Sequence, residues 1–340
     1  MQKLSSSLFL VFVSCLVASL SASLTAAENQ NDNGLYGTDA GPQETQTVAT
    51  YDLKDKKRDK TLPLRLTFPK AAGKYPLIVF SHGAMGSKDA YAPLIEHWVS
   101  HGYVCIQPTH EDSLQLLLRS GDRFRLQNVW SKWNTRPPDV QLILDSLDEL
   151  EDNVAGLKGK IDRERIGVGG HSFGAHTSQL IGGVKLQNPI TKRFESFADE
   201  RPDAVLLISP QGSGDSLVPE SWSGLTRPAM VITGSNDKSP RNGKDHLWRK
   251  EVYDHSPDGD RYLLMIDGAY HGFGGITGAR RFPGSGPANA DHVSYVKGAS
   301  LAFWDLFLKE NAEAGPWLRT DQFTKATGGA AELSTKFEEQ

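Results

Sequence analysis

Cysteine is scarce in this sequence: there are two in 340 residues, Cys15 and Cys105. Cys15 sits in the N-terminal apolar stretch, which reads as cleaved, so the mature chain has no internal disulfide to form. Cys105 stands in the strand-like run Tyr103-Val104-Cys105-Ile106 and reads as an inert core thiol. Excess charge of either sign is small as well, with 37 Lys and Arg against 41 Asp and Glu. The formal net charge is −4 with no long basic run, which argues against a nucleic-acid partner. The cluster Lys54-Asp55-Lys56-Lys57-Arg58-Asp59-Lys60 is short and mixed in sign, and reads as a solvated turn between two strands. After residue 20 no apolar run is long enough for a membrane span.

The N-terminus has the layout of a secretory signal peptide. Lys3 supplies the positive region, residues 8–20 are mostly apolar, and residues 21–27 are small. Cleavage after Ala27 is expected, which makes the chain an exported one, periplasmic or secreted. Phe12-Val13-Ser14-Cys15 is a poor lipoprotein box, because the Phe is wrong and the apolar stretch before it is short.

The expected organisation is a signal peptide at 1–27, a flexible leader at 28–45, a catalytic domain at 46–311 and a C-terminal tail at 312–340. Residues 47–53 and 62–68 read as an antiparallel strand pair. The second alternates Leu62, Leu64, Leu66 and Phe68 on one face, as a half-buried edge strand does. Pro76-Leu77-Ile78-Val79-Phe80 is apolar on both faces, which suits a central parallel strand. Further buried strands are read at 103–107, 166–169, 204–208, 229–232 and 262–266. Helices are read at 90–99, 139–150 and 293–308. Strands and helices alternate through the body. That predicts an α/β fold with a mostly parallel central sheet and helices on both faces, preceded by the antiparallel N-terminal pair. Residues 108–138 are irregular and read either as a surface excursion or as a lid or wall over a cleft.

The organising stretch is Gly170-His171-Ser172-Phe173-Gly174, between an apolar run and a small-residue helix. A G-x-S-x-G motif in that context puts the serine on a sharp strand-to-helix turn, with the helix N-terminus behind it. A serine hydroxyl needs a neutral imidazole within reach, and that imidazole needs a carboxylate to hold its tautomer. Asp237 follows one buried strand and His271 the next, which gives the chain order Ser, Asp, His. Asp215 and Asp245 compete for the acid, and His255 and His292 for the base; neither histidine directly follows a buried strand. Asp267 reads as fixing the turn that presents His271. An oxyanion would be held by the amides of Phe173 and of Ala84, in the turn His82-Gly83-Ala84-Met85-Gly86. Met85, His171, Trp130, Trp133, Trp222 and Phe273 are candidates for a substrate cleft, with a core role open for each aromatic. The chemistry calls for no metal and no cofactor.

Several stretches together resemble the α/β-hydrolase superfamily. They are Phe80-Ser81-His82-Gly83 with Gly86-Ser87, Ser100-His101-Gly102-Tyr103-Val104, Arg136-Pro137-Pro138-Asp139-Val140, Ile161-Asp162-Arg163-Glu164-Arg165-Ile166-Gly167-Val168, the serine motif, and Asp267-Gly268-Ala269-Tyr270-His271. The likeness is to serine esterases of the platelet-activating-factor acetylhydrolase and dienelactone-hydrolase-like group, with bacterial cutinases and polyester hydrolases as neighbours. It implies the α/β-hydrolase fold, Ser172 as nucleophile, His271 as base, and the Ala84 and Phe173 amides as oxyanion donors. Two departures stand out. Acetylhydrolases carry their acid just after the strand that follows the nucleophile helix, where this chain reads Ile208-Ser209-Pro210-Gln211; Asp237, one strand later, matches the cutinase-like arrangement. Dienelactone hydrolases use a cysteine where this chain has Ser172. The expected activity is carboxylic-ester hydrolysis through an acyl-enzyme, on a small-molecule or polymeric ester. Cutinase-type polyester hydrolysis is one alternative and a non-catalytic binding protein on the same fold is another.

Overall fold

A computed structural model describes residues 34–120, 132–214, 216–279, 282 and 284–337. The signal segment, the first part of the leader and Trp130 therefore lie outside the described residues.

Eleven strands and nine helices are described. The strands are β1 (Thr45–Asp55), β2 (Lys60–Pro69), β3 (Tyr75–Ser81), β4 (Val104–Pro108), β5 (Ile161–His171), β6 (Lys185–Gln187), β7 (Phe194–Ser196), β8 (Ala204–Ile208), β9 (Ala229–Asn236), β10 (Arg261–Tyr270) and β11 (Ala331–Lys336). The helices are α1 (Ala92–Ser100), α2 (Leu114–Ser120), α3 (Arg136–Asp145), α4 (Leu147–Asn153), α5 (Phe173–Ile181), α6 (His246–His255), α7 (Ala290–Leu308), α8 (Gly315–Arg319) and α9 (Gln322–Ala326). Nine strands form one sheet in the order β1-β2-β4-β3-β5-β8-β9-β10-β11, and β6 and β7 make a separate hairpin. The pairs from β4 through β10 are parallel. The β1–β2, β2–β4 and β10–β11 pairs are antiparallel.

The apolar runs sort by parity, because successive strand side chains face opposite ways. Leu77, Val79, Val168, Val205, Leu207 and Val231 pack on one face. Ile78, Phe80, Leu206, Ile208, Met230 and Ile232 pack on the other. Helices cover both faces, so each parallel strand is apolar all round. Cys105 is a free, buried thiol, and burial pushes its pKa well up.

Several expectations need correction. The strand at 62–68 is not an edge, since β2 lies between β1 and β4 and β1 takes the margin. The helix read at 139–150 is two helices. It starts three residues earlier, at Arg136 with a proline in its first turn, and breaks at Ser146, whose φ and ψ are −108° and 15°. The charged turn is not merely solvated: Arg58 Nη1 and Lys60 Nζ lie 2.7 and 2.5 Å from Asp139 Oδ1, which is buried. The described part of the leader is packed. Leu35 is buried, the Tyr36 hydroxyl donates to Asp305 at 2.8 Å, and the Gly41 amide donates to Ser100 Oγ at 2.9 Å. The segment past residue 311 is not a loose tail. α8 and α9 bury Leu318 and Phe323, and β11 pairs with β10 from Arg261↔Lys336 to Ile266↔Ala331.

Candidate active site

β5 ends at His171, and the next residue, Ser172, takes φ 56° and ψ −117° at the turn into α5. This is a strained conformation for a residue with a Cβ. The turn is held by the Ser172 amide donating to the Ile208 carbonyl at 2.8 Å. The motif glycines are dictated by space. A Cβ on Gly174 would lie 1.9 Å from the Ser81 carbonyl oxygen, and one on Gly170 would lie 2.4 Å from the Gly174 backbone. Gly174→Ala should therefore destabilise the protein by more than about 4 kcal/mol. Urea unfolding checks this; a loss under about 1 kcal/mol would show that helix and strand can part here without cost.

His271 sits past a register shift at the end of β10, where Gly268 takes φ 69°. The Ser235 hydroxyl donates to Asp267 at 2.9 Å and accepts the Gly268 amide at 2.7 Å, so Asp267 does brace this turn. His271 Nε2 lies 2.9 Å from Ser172 Oγ, and His271 Nδ1 lies 2.7 Å from Asp237 Oδ1. With the carboxylate ionised, Nδ1 carries the proton and Nε2 is free to accept from the serine. Both partners are buried. Asp237 also accepts from Thr233 Oγ1 at 3.1 Å, and Arg249 Nε lies 3.6 Å from Oδ2. Burial alone would raise the Asp237 carboxyl, but the charge of Arg249, then that of His271, outweighs it and holds the carboxyl well below the usual range. Burial lowers the His271 imidazole; the Asp237 charge and hydrogen bond oppose this only in part, and Arg249 reinforces it.

The competing residues are elsewhere. Asp245 caps α6 through the Leu247 amide, His255 stacks on Trp222, and the His292 amide donates to Asn289. Asp215 lies outside the described residues.

A cavity of about 300 Å³ opens over Ser172 and His271, lined by Ala84, Met85, Tyr91, His171 and Phe282 among others. A second, of about 610 Å³, flanks it past Phe173, with Trp133, His176, Leu217 and Trp248 in its wall. Arg241 borders both. Of the sequence candidates for a cleft, Met85 lines the first cavity and Trp133 only the second. Trp222 lines neither: it is wholly buried, with its indole N–H on Gln179 Oε1 at 3.3 Å. Phe273 is also wholly buried and meets the His171 ring edge-on, centroids 6.1 Å apart, behind the cavity rather than in its wall. An aromatic near a site in sequence is as good a core residue as a lining one, and both of these went to the core.

His171 lines the cavity but works as a strut. Its Nε2–H donates to the His271 carbonyl at 2.8 Å, so Nδ1 accepts from the Tyr91 hydroxyl at 2.9 Å. Tyr91 in turn accepts the Gly83 amide at 3.0 Å. The turn at Gly83 and the histidine loop are therefore tied together through the motif. Sequence reasoning missed this use of Tyr91, and it missed Ser209 and Arg249. Ser209, where the resemblance would place an acid, puts its hydroxyl 2.9 Å from His271 Nδ1 and hydrogen-bonds Asp237. Arg249 donates to the Ser209 and Pro210 carbonyls at 3.1 and 2.9 Å. The signal for Ser209 was its place one residue past β8; for Arg249 there was none. Among the described residues no group of three or more His, Cys, Asp or Glu is placed to hold a metal ion. Nor is any described helix long and apolar enough to cross a membrane.

A mostly parallel sheet with helices on both faces, an antiparallel pair at its start and a serine on the turn after β5 defines the α/β-hydrolase fold, and this chain has it. Within that class the chain is similar to serine esterases. The family model described as Chlorophyllase matches residues 38–181. The chain is 26% identical over 245 residues to a platelet-activating factor acetylhydrolase of Canis lupus familiaris, covering 62% of this chain and 50% of that protein. It is 29% identical over 208 residues to chlorophyllase type 0 of Chenopodium album, covering 60% and 56%. It is 26% identical over 213 residues to cutinase est2 of Thermobifida alba, covering 62% and 57%. The matches thus span little more than half the length of these relatives.

Proposed function

We propose that this chain is a serine carboxylic-ester hydrolase that works through an acyl-enzyme on Ser172. The observation that carries the reading is the bond path from Ser172 Oγ to His271 Nε2 at 2.9 Å and from Nδ1 to Asp237 at 2.7 Å, opening on a cavity bordered by Ala84. Ser172 Oγ attacks the ester carbonyl as its proton passes to His271. The carbonyl oxygen takes the negative charge and accepts the Ala84 and Phe173 amides. Collapse expels the alcohol, which takes the proton back from His271. Water, deprotonated by His271, then releases the acid and regenerates the serine. Asp237 stabilises the imidazolium in both halves. The likeness to an acetylhydrolase, a chlorophyllase and a cutinase supports ester chemistry on this fold. The N-terminal layout at 1–27 supports export of the enzyme.

The test is stoichiometric labelling of Ser172 by a fluorophosphonate, with initial rates on p-nitrophenyl esters of increasing acyl length. Labelling elsewhere, or none, would sink the reading and return the chain to a binding role. A sharp optimum at short acyl chains fits the 300 Å³ cavity acting alone. A flat profile through long chains favours a second reading, polyester hydrolysis, because the larger cavity past Phe173 extends the cleft by way of Arg241. Release of soluble monomers from a polyester film distinguishes the two.

The pH dependence follows from His271. The base form is the active one, and burial depresses its pKa. The acid limb of kcat/KM, which reports the free enzyme, should therefore lie below the ordinary imidazole value of about 6.5. A midpoint at or above that value would mean that the Asp237 charge outweighs burial.

A further inference from the structure

The turn that carries Ala84 is gripped by buried groups that, among the described residues, make no hydrogen bond or ion pair to Ser172, Asp237 or His271. Arg136 is wholly buried. Its Nη1 donates to the His82 carbonyl at 2.7 Å and its Nη2 to the Gly83 carbonyl at 3.3 Å. Asp112 braces it from the other side, with Nε to Oδ1 and Nη2 to Oδ2 both 2.8 Å. The same carboxylate accepts the Met85 amide at 3.0 Å. The His110 amide donates to His82 Nε2 at 3.0 Å, so the His82 ring proton sits on Nδ1 and donates to the Gly83 carbonyl at 2.7 Å. The Gly86 amide reaches that carbonyl too, at 3.0 Å. The guanidinium carbon also lies 4.4 Å from the centroid of the Phe173 ring, the side chain of the other oxyanion donor.

These contacts fix three consecutive peptide planes. The plane joining His82 and Gly83 is held at its carbonyl by Arg136 and at its N–H by Tyr91. The plane joining Ala84 and Met85 is held at its N–H by Asp112. The plane between them is held by the Gly83 carbonyl alone. A trans peptide is planar, with its N–H opposite its C=O. A Gly83 carbonyl drawn toward Arg136 and His82 therefore turns the Ala84 N–H the opposite way. Among the described residues that N–H has no protein partner, and Ala84 borders the cavity over Ser172.

We infer that Arg136, braced by Asp112, is a positioning residue for the oxyanion donor Ala84, setting the Gly83–Ala84 peptide plane before substrate arrives. This rests on the reading of Ser172 as the nucleophile. Oxyanion stabilisation depends on donors aimed in advance at charge that develops only in the transition state. A turn free to rotate would aim them only part of the time. Burial raises the Asp112 carboxyl, but Arg136 brings it down to about 2, so the brace stays ionised through the working pH range.

The experiment compares the parent with Arg136→Lys, Arg136→Ala and Asp112→Asn, in kcat, KM, affinity for an alkyl boronic acid and thermal midpoint. A boronic acid forms a tetrahedral adduct on the serine and places an oxygen where the oxyanion would be. A substrate-shaped amide that is not cleaved serves as the ground-state control. The expected result is a fall in kcat of about 100-fold, the scale of one lost oxyanion donor, with KM within about threefold. Boronate affinity should fall in step with kcat while affinity for the amide holds. The acid limb of the pH profile should stay put, because the His271–Asp237 pair is untouched. Added methylguanidinium should restore part of the Arg136→Ala rate, and sodium chloride at equal ionic strength should not. If Arg136→Ala fails to fold, the lysine variant, which keeps the charge but reaches at most one of the two carbonyls, decides on the same readouts. Folded variants with parental kcat and parental boronate affinity overturn the inference, as does a loss confined to KM. Those outcomes, with an active parent and an inactive Ser172→Ala, leave the hydrolase reading standing. A parent that neither turns over esters nor binds the boronate strikes at that reading instead.

Discussion

Replacing Ser172 with alanine should lower kcat on a p-nitrophenyl ester by on the order of 10⁶-fold while KM changes little. The hydroxyl takes part only once bonds begin to change, so its loss removes transition-state stabilisation and leaves ground-state binding alone. His271→Ala should cost about as much, and the double variant no more than either single one, because base and nucleophile act as a unit. Independent, multiplying losses in the double variant would mean that some other group activates Ser172. The same position offers a test of backbone strain. At φ 56° and ψ −117° a Cβ is disfavoured, so Ser172→Gly should be more stable than Ser172→Ala by about 1 kcal/mol, although both are inactive. Equal unfolding midpoints would show that the turn is relaxed. Activity and stability are opposed at this residue: the strain that exposes the hydroxyl is borne by the packing of β5 and α5 around two glycines.

The residues proposed to perform the chemistry were legible because each sits where a regular element ends. Ser172, Asp237 and His271 follow β5, β9 and β10; β9 and β10 are plain in sequence because their core runs are apolar on both faces, and β5 because Ile166 and Val168 alternate with glycines up to the serine motif. The turn proposed to hold the oxyanion was legible for the same reason, after β3. What was not legible is whatever depends on one charge meeting another across the fold. Arg136 stood in the irregular 108–138 stretch, read as a surface excursion or as a lid or cleft wall, and is wholly buried, because Asp112 and two backbone carbonyls await it. The Lys54–Lys60 cluster read as solvated, yet two of its cations reach buried Asp139. Ala331-Glu332-Leu333-Ser334-Thr335-Lys336 has too little alternation to announce a strand; it becomes β11 because β10 offers an open edge. Local pattern reports what an element must bury, and it is silent on which buried charge will find a partner.

Asp237→Asn should show the cost of such a pairing in two separate readouts. The first is rate. An asparagine can leave the imidazole in the wrong tautomer and cannot stabilise the imidazolium, so kcat should drop by about 10⁴-fold. The second is stability. Arg249 is almost wholly buried, and the only carboxylate its guanidinium pairs with among the described residues is Asp237, 3.6 Å from Nε. Neutralising that carboxylate leaves a buried, uncompensated cation, which typically destabilises by about 3–5 kcal/mol. Chemical denaturation should find Asp237→Asn weaker than Ser172→Ala by that amount, although both are near-dead enzymes. Removing the cation as well is the decisive step. Asp237→Asn with Arg249→Met should recover most of the lost stability, because a buried ion pair exchanged for neutral groups of similar volume is close to neutral. It should recover none of the rate, because the imidazolium still has no counter-charge. A double variant no more stable than Asp237→Asn alone would show that Arg249 is held by the Ser209 and Pro210 carbonyls without the carboxylate. In that case Asp237 serves His271 only, and the low pKa of its carboxyl comes from the imidazole rather than from the guanidinium behind it.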